Sequence, residues 1–490
     1  MIPTSELNLF LELTGRGAIY VRVAEAVLKA IRECRIPPGG PLPGIRELAP
    51  RLGVHRNTVL AALRELEAQG WLQARPRQGF YVADPLPEAP AIRQPRAVPP
   101  AQSLGFDLAN PLGTVTDARG LLRDFSDGVA DARLVPVEAL AQAYVRGLRS
   151  HGPELLQSSE FKGLKRLRTA LAEHLAQKRG LRLDPEQLLI VRSTSMAVTL
   201  AAQTLLGARG GRVAVETPGN AGIWDTLRQA ASAELVGIPV DQDGLDPDAL
   251  EARLREGPIA LLVTTPQCHY PTGAPLSPAR RGRVLELASR HRFAVLELDP
   301  EFDYLPYALA VHPPLASLDR TGQVIYVGSL SRTLAPGLRL GYMGLPSTLA
   351  DRLARARQHL DWQGDPLLEW VVSELILDGE YRRHLRRLRK AHLERREALL
   401  DALRHGLEGR LESGQAQGGM ALWLTGAGPW RDPARFEPWV RACTAKGFKL
   451  RPGRWFMLDG TPIAATRFGF TACRPEELQQ AVALCAGEPR

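Results

Sequence analysis

The chain has 490 residues, which is too long for one hydrophobic core and predicts two or three domains. A composition of 44% hydrophobic and 23% charged residues is typical of a globular protein, and no apolar run is long enough to span a membrane. The net charge of +9 permits a polyanionic partner without locating its site.

The N-terminus and the cysteines indicate a reducing compartment. The first residues, Met1-Ile-Pro-Thr-Ser-Glu6, lack the basic and apolar regions of a signal peptide. The five cysteines are odd in number and form no CxxC pair, which indicates neither a disulfide framework nor a zinc site. We therefore expect a cytoplasmic protein without a bound metal.

Three predicted helices and a hairpin follow one another near the N-terminus. Apolar residues at helical spacing predict helices over 18–33, 45–52 and 55–69. The segment 71–82 alternates around Pro76-Arg-Gln-Gly79, which predicts a β-hairpin. This order is that of a winged helix-turn-helix, in which the helix after a short turn enters the major groove of DNA.

The segment PLPGIRELAPRLGVHRNTVLAALRELEAQGWLQARPRQGFYV, residues 41–82, resembles the GntR family almost end to end. On this resemblance we assign residues 10–84 to a DNA-binding domain whose partner is a double-stranded operator. The implied DNA contacts are Arg46, His55, Arg56 and Thr58, with Gly79 shaping the wing tip. Arginines suit phosphates or guanine edges, and the alternative for any single arginine is a solvated helix face.

A proline-rich segment follows the predicted hairpin. Six prolines lie among the 16 residues from Pro85 to Pro100, with few large apolar side chains between them. Such a composition cannot bury enough apolar surface to fold. Residues 85–122 are therefore predicted to form an extended linker.

From Asp127 onwards, continuous apolar runs alternate with helical stretches. The predicted strands begin at Leu188, Arg212, Ile259, Phe293 and Gln323. Continuous apolar strands separated by helices indicate an α/β fold with a mostly parallel sheet covered on both faces. Ligands bind such sheets at the carboxyl ends of the strands. Long helices predicted over about 351–377 and 380–405, with short strands after them, indicate a smaller C-terminal α+β lobe.

Several motifs in order resemble the aminotransferase domain of fold-type I pyridoxal-phosphate (PLP) proteins. They are VETPGN, TTPQCHYPTG, YVGSLSRTLAPGLRLGY and ATRFGF. The resemblance covers about 123–486, with a large lobe over about 123–348 and a small lobe over about 349–486. Joined to a GntR-type winged helix, this domain is similar to that of MocR-type transcriptional regulators. The resemblance implies a head-to-tail homodimer, PLP as the family cofactor and a small anionic or amino-acid effector.

The segment Gly328–Tyr342 resembles the cofactor-lysine segment of that family, with Arg332 at the position of the Schiff-base lysine. A guanidinium stays protonated and does not form an imine with an aldehyde, so no catalytic residue is assigned. Arg467 matches the arginine that holds a substrate α-carboxylate. The cofactor phosphate would lie near Ser193, Thr194, Ser195, Ser329, Ser331 and Arg339.

Other positions of the cofactor site also depart from the family pattern. The pyridine carboxylate is Asp299 or Leu298, depending on a shift of one residue in the alignment. Pro300 stands at the position of the ring-hydroxyl tyrosine, and Asn220 stands at the position of the stacking aromatic residue. None of the chain's lysines lies in a segment that the resemblance places near the site. PLP is expected to bind non-covalently at most, if it binds at all.

Two interpretations of Arg332 follow. Either it fills the vacated pocket by pairing with Asp299 or Glu301, or it binds an anion such as PLP, a phosphate ester or a carboxylate. The predicted function is a DNA-binding transcriptional regulator whose aminotransferase-like domain dimerises and binds an effector without Schiff-base catalysis. The alternatives are an aminotransferase-like enzyme with an accessory DNA-binding domain and an architectural DNA-binding dimer without a small ligand.

Overall fold

The computed structural model describes residues 17–87, 123–157, 160–304, 312–414 and 419–487. The chain divides into two units, Met1–Thr114 and Val115–Arg490. Most of the predicted linker, 85–122, lies outside the described residues, so its extended conformation stays a prediction. Within the described part of the chain, no helix is both long and apolar enough to cross a membrane.

The first unit is a winged helix-turn-helix, as predicted. Its elements are α1 (Ile19–Arg32), α2 (Ile45–Leu52), α3 (Arg56–Ala68), β1 (Leu72–Arg75) and β2 (Gly79–Val82). Gly53 ends α2 in the left-handed region with φ of 64°, and His55 begins α3 by accepting a hydrogen bond from the N–H of Asn57. The apolar faces of the helices and β1 enclose a core that includes Val23, Val27, Leu48, Val59, Leu63, Leu66 and Leu72.

The second unit contains α-helices, a central sheet and a smaller C-terminal lobe. Its elements in chain order are β3 (Arg123–Asp124), α4 (Val137–Leu155), α5 (Lys165–Arg179), β4 (Leu188–Val191), α6 (Thr194–Leu206), β5 (Gly211–Thr217), α7 (Ala221–Ala231), β6 (Ala233–Asp241), β7 (Gly244–Leu245), α8 (Pro247–Glu256), β8 (Leu261–Thr264), α9 (Pro278–His291), β9 (Ala294–Asp299), α10 (Leu315–Leu318), β10 (Val324–Ser329), β11 (Gly341–Gly344), α11 (Ser347–Asp361), α12 (Pro366–Leu377), α13 (Glu380–Gly406), β12 (Leu411–Ser413), β13 (Ala421–Gly426), α14 (Pro433–Ala445), β14 (Phe448–Lys449), β15 (Ala465–Gly469) and α15 (Pro475–Ala486).

The central sheet has the order β4-β11-β10-β9-β8-β5-β6-β7. Its strands from β10 to β6 are parallel neighbours, whereas β11 and β7 run antiparallel to the strands beside them. Strands β4, β8 and β11 are buried along their whole length, because helices pack on both faces of the sheet. The predicted mostly parallel α/β fold is therefore confirmed.

The single helix predicted over about 351–377 is wrong. The structure has two helices there, α11 and α12, with a break at residues 362–365. A Cβ at Gly364 would collide with the carboxylate of Glu369. Asp365 then caps α12 by accepting from the N–H of Leu368, and Pro366 takes the first helical position. The capping aspartate and the proline thus start a new helix, although the apolar residues keep a helical spacing across the break.

The small lobe holds residues 123–131 beside the carboxyl ends of the central strands. Strand β3 pairs in parallel with β14. The C=O of Phe125 accepts a hydrogen bond from the N–H of Gly469 at 2.8 Å. Gly128 passes so close to Met420 that a Cβ there would collide with it. This packing brings Asp127 to the residues that follow β10.

Candidate functional site

A cavity of about 280 Å³ opens at the carboxyl ends of β4 and β10. Parallel sheets bind ligands at this edge, because strand ends and helix N-termini meet there. The lining residues among those described are Asp127, Gly128, Val129, Ala130, Arg192, Ser193, Thr194, Ser195, Ser329, Ser331, Arg332, Pro336 and Arg339. The structure thus brings together all the predicted phosphate-side residues and Arg332, whereas Asp299 and Arg467 do not line this cavity.

The N-terminus of α6 supplies donors to the cavity. Ser193 caps this helix, because its Oγ accepts a hydrogen bond from the N–H of Met196 at 3.1 Å. The backbone N–H groups of Thr194 and Ser195 have no acceptor in the described part of the chain. Free N–H groups at a helix N-terminus carry a partial positive charge and favour an anion.

The two serines after β10 differ in what they can offer a ligand. The Oγ of Ser331 donates to the C=O of Leu340 at 3.0 Å and accepts from its N–H at 2.7 Å. Its only proton is therefore used within the protein. The Oγ of Ser329 accepts from the N–H of Arg332 at 3.3 Å, which leaves its own proton free to donate. Ser329 is thus the serine of this pair that can serve a ligand.

Arg339 is an exposed cation of the cavity. It adopts φ of 51° just before β11 and has no ion-pair partner among the described residues. Arg192, by contrast, forms an ion pair with Asp361 at 2.7 Å. A guanidinium without an internal partner can bind two oxygens of a phosphate or carboxylate.

The side chain of Arg332 is held by the segment that carries Asp127. Its Nη1 donates to the C=O of Gly128 at 2.7 Å, and its Nη2 lies 3.3 Å from Oδ2 of Asp127. The prediction that Arg332 pairs with Asp299 or Glu301 is therefore wrong, because its ion-pair partner is Asp127. Burial alone would lower the pKa of Arg332, but Asp127 and Glu301 raise it above its usual value. The residue remains a cation.

Arg467 lies deeper and forms ion pairs with two of the protein's own carboxylates. Its Nη2 is 2.8 Å from Oε1 of Glu301, and its Nε is 3.1 Å from Oδ1 of Asp127. The guanidinium also lies over the ring of Tyr270, 4.2 Å from its centroid. Only 2% of the Arg467 side chain is exposed. Burial lowers its pKa, but the two carboxylates outweigh that effect and raise it.

Asp299 lies away from the cavity, in a separate buried network. Its carboxylate forms an ion pair with Arg179 and accepts a hydrogen bond from the hydroxyl of Tyr326 at 2.8 Å. The preceding residue, Leu298, points to the other side of the strand and packs near Asn220. Leu298 therefore lies on the side of the strand that carries Asn220, the predicted stacking position, and Asp299 lies on the other.

Two further positions have structural roles. The side chain of Asn220 caps α7 by accepting from the N–H groups of Gly222 and Ile223 at 3.0 and 3.4 Å. The hydroxyl of Tyr304 donates to the backbone C=O of Arg332. The ring of Tyr304 stacks on that of His392, with the two centroids 4.6 Å apart. No described residue of the chain forms a cluster that could hold a metal.

In the winged helix, the predicted DNA contacts lie at the start of α2, the start of α3 and the wing. Arg46, Arg56 and Gly79 are exposed, and Thr58 is half-buried. Neither arginine has an ion-pair partner among the described residues. His55 is exposed, but its Nδ1 accepts from the N–H of Asn57 at 3.2 Å, so this side chain serves as a helix cap.

Comparison with known proteins identifies the family. Residues 125–483 match the family "Aminotransferase class I and II", and residues 19–82 match "Bacterial regulatory proteins, gntR family". The chain is 31% identical to the HTH-type transcriptional regulator TauR of Rhodobacter capsulatus, over 92% of each chain. It is 29% identical to the "Probable rhizopine catabolism regulatory protein MocR" of Rhizobium meliloti, over 90% of this chain and 87% of that protein.

This chain is a MocR-type transcriptional regulator. Its second unit is also similar to a solved structure of LysN, an alpha-aminoadipate aminotransferase from Thermus thermophilus. That likeness has a TM-score of 0.67 and 27% identity, and covers 75% of this chain and 92% of the other. The regulator therefore carries an aminotransferase fold behind a GntR-type DNA-binding domain.

The residues of this MocR-type regulator fit one part of PLP better than the rest. The donors at α6, together with Ser329 and Arg339, suit a phosphate. The described residues place no lysine at the cavity, and the carboxylate of Asp299 is taken by Arg179. The cavity thus fits a phosphate group, whereas the side chains for covalent attachment and ring binding do not fit PLP.

The sequence indicated Glu301 only as a candidate partner of Arg332 and did not single out Asp127 as a site residue. Asp127 and Glu301 lie far apart in the chain, and both form ion pairs with Arg467. One signal was present, because Glu301 follows a buried strand directly and this is where an α/β sheet places site residues. No local pattern indicated that Asp127 would reach the same place.

Proposed function

We propose that this MocR-type regulator reads its operator with residues 10–84 and senses an anionic effector with residues 123–486, without covalent catalysis. Residues 85–122 would act as the tether between them. The observation that carries the proposal is the guanidinium of Arg339, which lines the cavity without an ion-pair partner among the described residues, while Arg332, at the position that the resemblance gives to a lysine, is held by the C=O of Gly128 at 2.7 Å. A protonated guanidinium in the cavity can attract an anion but cannot form an imine.

The chemistry of the cavity favours a phosphate monoester as the effector. Two backbone N–H groups and the hydroxyl of Ser329 supply donors, and Arg339 supplies charge. A volume of about 280 Å³ is at the lower end of the range for small-molecule sites, and it suits a compact ligand. We propose that PLP, if it binds, is held here by its phosphate alone.

The proposed regulator works as a head-to-tail homodimer in the cytoplasm, where its DNA partner is found. A dimer would present two winged helices to two half-sites whose spacing matches the symmetry of the protein. The family membership of both units supports this arrangement. Sedimentation of the full-length protein should give the mass of two chains, about twice 53.6 kDa.

Three related probes separate phosphate binding from aldehyde chemistry. PLP carries both groups, pyridoxine 5′-phosphate carries only the phosphate, and pyridoxal carries only the aldehyde. We expect the first two to raise the melting temperature of the full-length protein by similar amounts, because a ligand stabilises the state that binds it. Pyridoxal should have no effect. Borohydride treatment with PLP should leave no covalent adduct in the mass spectrum.

Two variants test where the probes bind. Arg339→Ala should abolish the stabilisation by both phosphates without altering the melting temperature of the free protein, since Arg339 has no internal partner among the described residues. Arg320→Ala removes another exposed arginine, which does not line the cavity, and should change neither measurement. A reducible adduct on any lysine, or stabilisation by pyridoxal equal to that by PLP, would overturn the proposal.

A further inference from the structure

Two arginines beside the cavity are neutralised by two carboxylates of the same chain. The four side chains form a continuous row in the order Arg332, Asp127, Arg467 and Glu301. The links between them measure 3.3, 3.1 and 2.8 Å. Two positive and two negative charges cancel, so the row carries no net charge. An incoming carboxylate would therefore meet a neutral set of residues and not a free cation.

The surrounding backbone is built to hold Glu301 in this row. Its Oε2 accepts a hydrogen bond from the N–H of Met420 at 3.1 Å, while its Oε1 faces Arg467. Gly419 lies so close to Glu301 and Cys268 that a Cβ would come within 2.8 Å of both, and its φ of 90° also favours glycine. Only 6% of the Glu301 side chain is exposed. This carboxylate is thus a fixed part of the interior.

Displacing Glu301 from Arg467 would be costly. A free amino acid that bound Arg467 through its carboxylate would leave Glu301 buried without its cation, next to a second negative charge. A buried carboxylate without a partner is strongly disfavoured, since its desolvation is no longer offset. The same holds for Asp127, which bridges Arg467 and Arg332.

We propose that Glu301 and Asp127 are built-in carboxylate ligands of Arg467, so that the effector site accepts a phosphate monoester and rejects free amino acids. This inference rests on the proposed phosphate-binding function of the cavity. It makes Glu301 and Asp127 specificity-determining residues, which act by occupying the arginine that the aminotransferase resemblance assigns to a substrate carboxylate.

Chemical rescue tests the role of Glu301. Glu301→Ala removes the carboxylate and leaves space beside Arg467, so the variant should melt at a lower temperature than the wild type. Sodium acetate or formate, compared with sodium chloride at equal ionic strength, should raise the melting temperature of the variant saturably by about 3 °C. The wild type should show no such rise. The double variant Glu301→Ala/Arg467→Met should not be rescued.

A gentler substitution keeps the test decisive if Glu301→Ala does not fold. Glu301→Ser removes the charge and leaves space beside Arg467, while a small polar group remains in the interior. Glycine and alanine should stabilise Glu301→Ser saturably and leave the wild type unchanged. Stabilisation of the wild type by either amino acid, lost on Arg467→Met, would refute the inference. So would a failure of carboxylates and amino acids to stabilise the folded Glu301 variants.

The two proposals fail in different ways. If pyridoxine 5′-phosphate does not stabilise the wild type, the phosphate-binding function is wrong, whatever the Glu301 variants show. If pyridoxine 5′-phosphate stabilises it and amino acids also bind through Arg467, only the inference about the built-in carboxylates is wrong. The same melting experiments on the full-length protein therefore distinguish the outcomes.

Discussion

Replacing Asp299 with alanine should destabilise the second unit severely. The structure places this carboxylate in a buried ion pair with Arg179 and gives it a hydrogen bond of 2.8 Å from the hydroxyl of Tyr326. Only 1% of the Asp299 side chain and 3% of the Arg179 side chain are exposed. After the substitution, Arg179 would remain buried as a cation without a carboxylate.

The expected loss is about 3–5 kcal/mol, the usual cost of removing one partner from a buried ion pair. The lower end of this range is favoured, because Arg179 keeps its hydrogen bonds to Tyr326 at 3.0 and 3.2 Å and its place over the ring of Phe302. With a denaturant slope of about 3 kcal/mol per molar, the urea midpoint should fall by about 1–2 M.

Tryptophan fluorescence in urea measures this loss. Trp71 is the only one of the 8 tryptophans that lies in the first unit, so the signal reports mainly on the second. The matched control is Asp225→Ala, which breaks an exposed ion pair of 3.2 Å with Arg228 and should cost less than about 1 kcal/mol. The double variant Asp299→Leu/Arg179→Met should recover much of the stability, because it leaves no unpaired charge.

A contrary result is easy to recognise. If Asp299 served a ligand ring and not the interior, Asp299→Ala would lower the stability of the free protein by less than about 1 kcal/mol and would abolish stabilisation by PLP. That outcome would restore the sequence alignment in which Asp299 is the pyridine carboxylate. It would also refute the inference that Asp299 serves to stabilise the buried network.

Two other predictions concern DNA binding and pH. Arg56→Ala should weaken operator binding by about 1–3 kcal/mol at fixed salt, as measured by fluorescence anisotropy. The control Arg228→Ala makes the same charge change in the second unit and should not weaken binding. If Arg56→Ala bound the operator as tightly as the wild type, Arg56 would not belong to the interface. Burial raises the pKa of Glu216 to about 7, against hydrogen bonds from Thr264 and Thr265 that lower it. The folded protein then keeps a proton that the unfolded chain has lost, so stability should fall as the pH rises from about 4.5 to about 7. Glu216→Gln should flatten this fall in urea midpoints measured at pH 5 and pH 8, and an unchanged pH profile would contradict the assignment.

The sequence predicted the fold well, because the fold depends on patterns that are local or periodic. The apolar runs that begin at Leu188 and Arg212 correspond to strands of the central sheet. The helix predicted after the turn at Gly53 is also present. The predicted phosphate-side residues line one cavity, since they lie at the ends of two such strands, and their binding of a phosphate stays a prediction. The prediction of a single helix over about 351–377 was wrong, because a capping aspartate and a proline interrupt the periodicity there.

The pairing of charges could not be predicted in the same way. A strand alternates its side chains between two faces, so a shift of one residue decides whether Asp299 or Leu298 faces the site. The hydrophobic pattern does not fix that shift here, because helices cover both faces and both positions are buried. The partner of Arg332 depends on Asp127, which reaches it only because Gly128 and Gly469 allow close backbone contacts in the small lobe.

The distribution of internal partners argues against a site that is merely a remnant. The positions that would serve the amine, the ring and the substrate carboxylate are all occupied by structural contacts. Arg332 is held by Asp127, Asn220 caps α7, and Arg467 is neutralised by Glu301. On the phosphate side, the N–H groups at the start of α6 and the guanidinium of Arg339 have no partner among the described residues. Random loss of function would not be expected to pair the polar groups of one half of a cavity within the protein and to leave those of the other half unpaired. The proposed phosphate-binding site, in a regulator without covalent catalysis, would account for both halves.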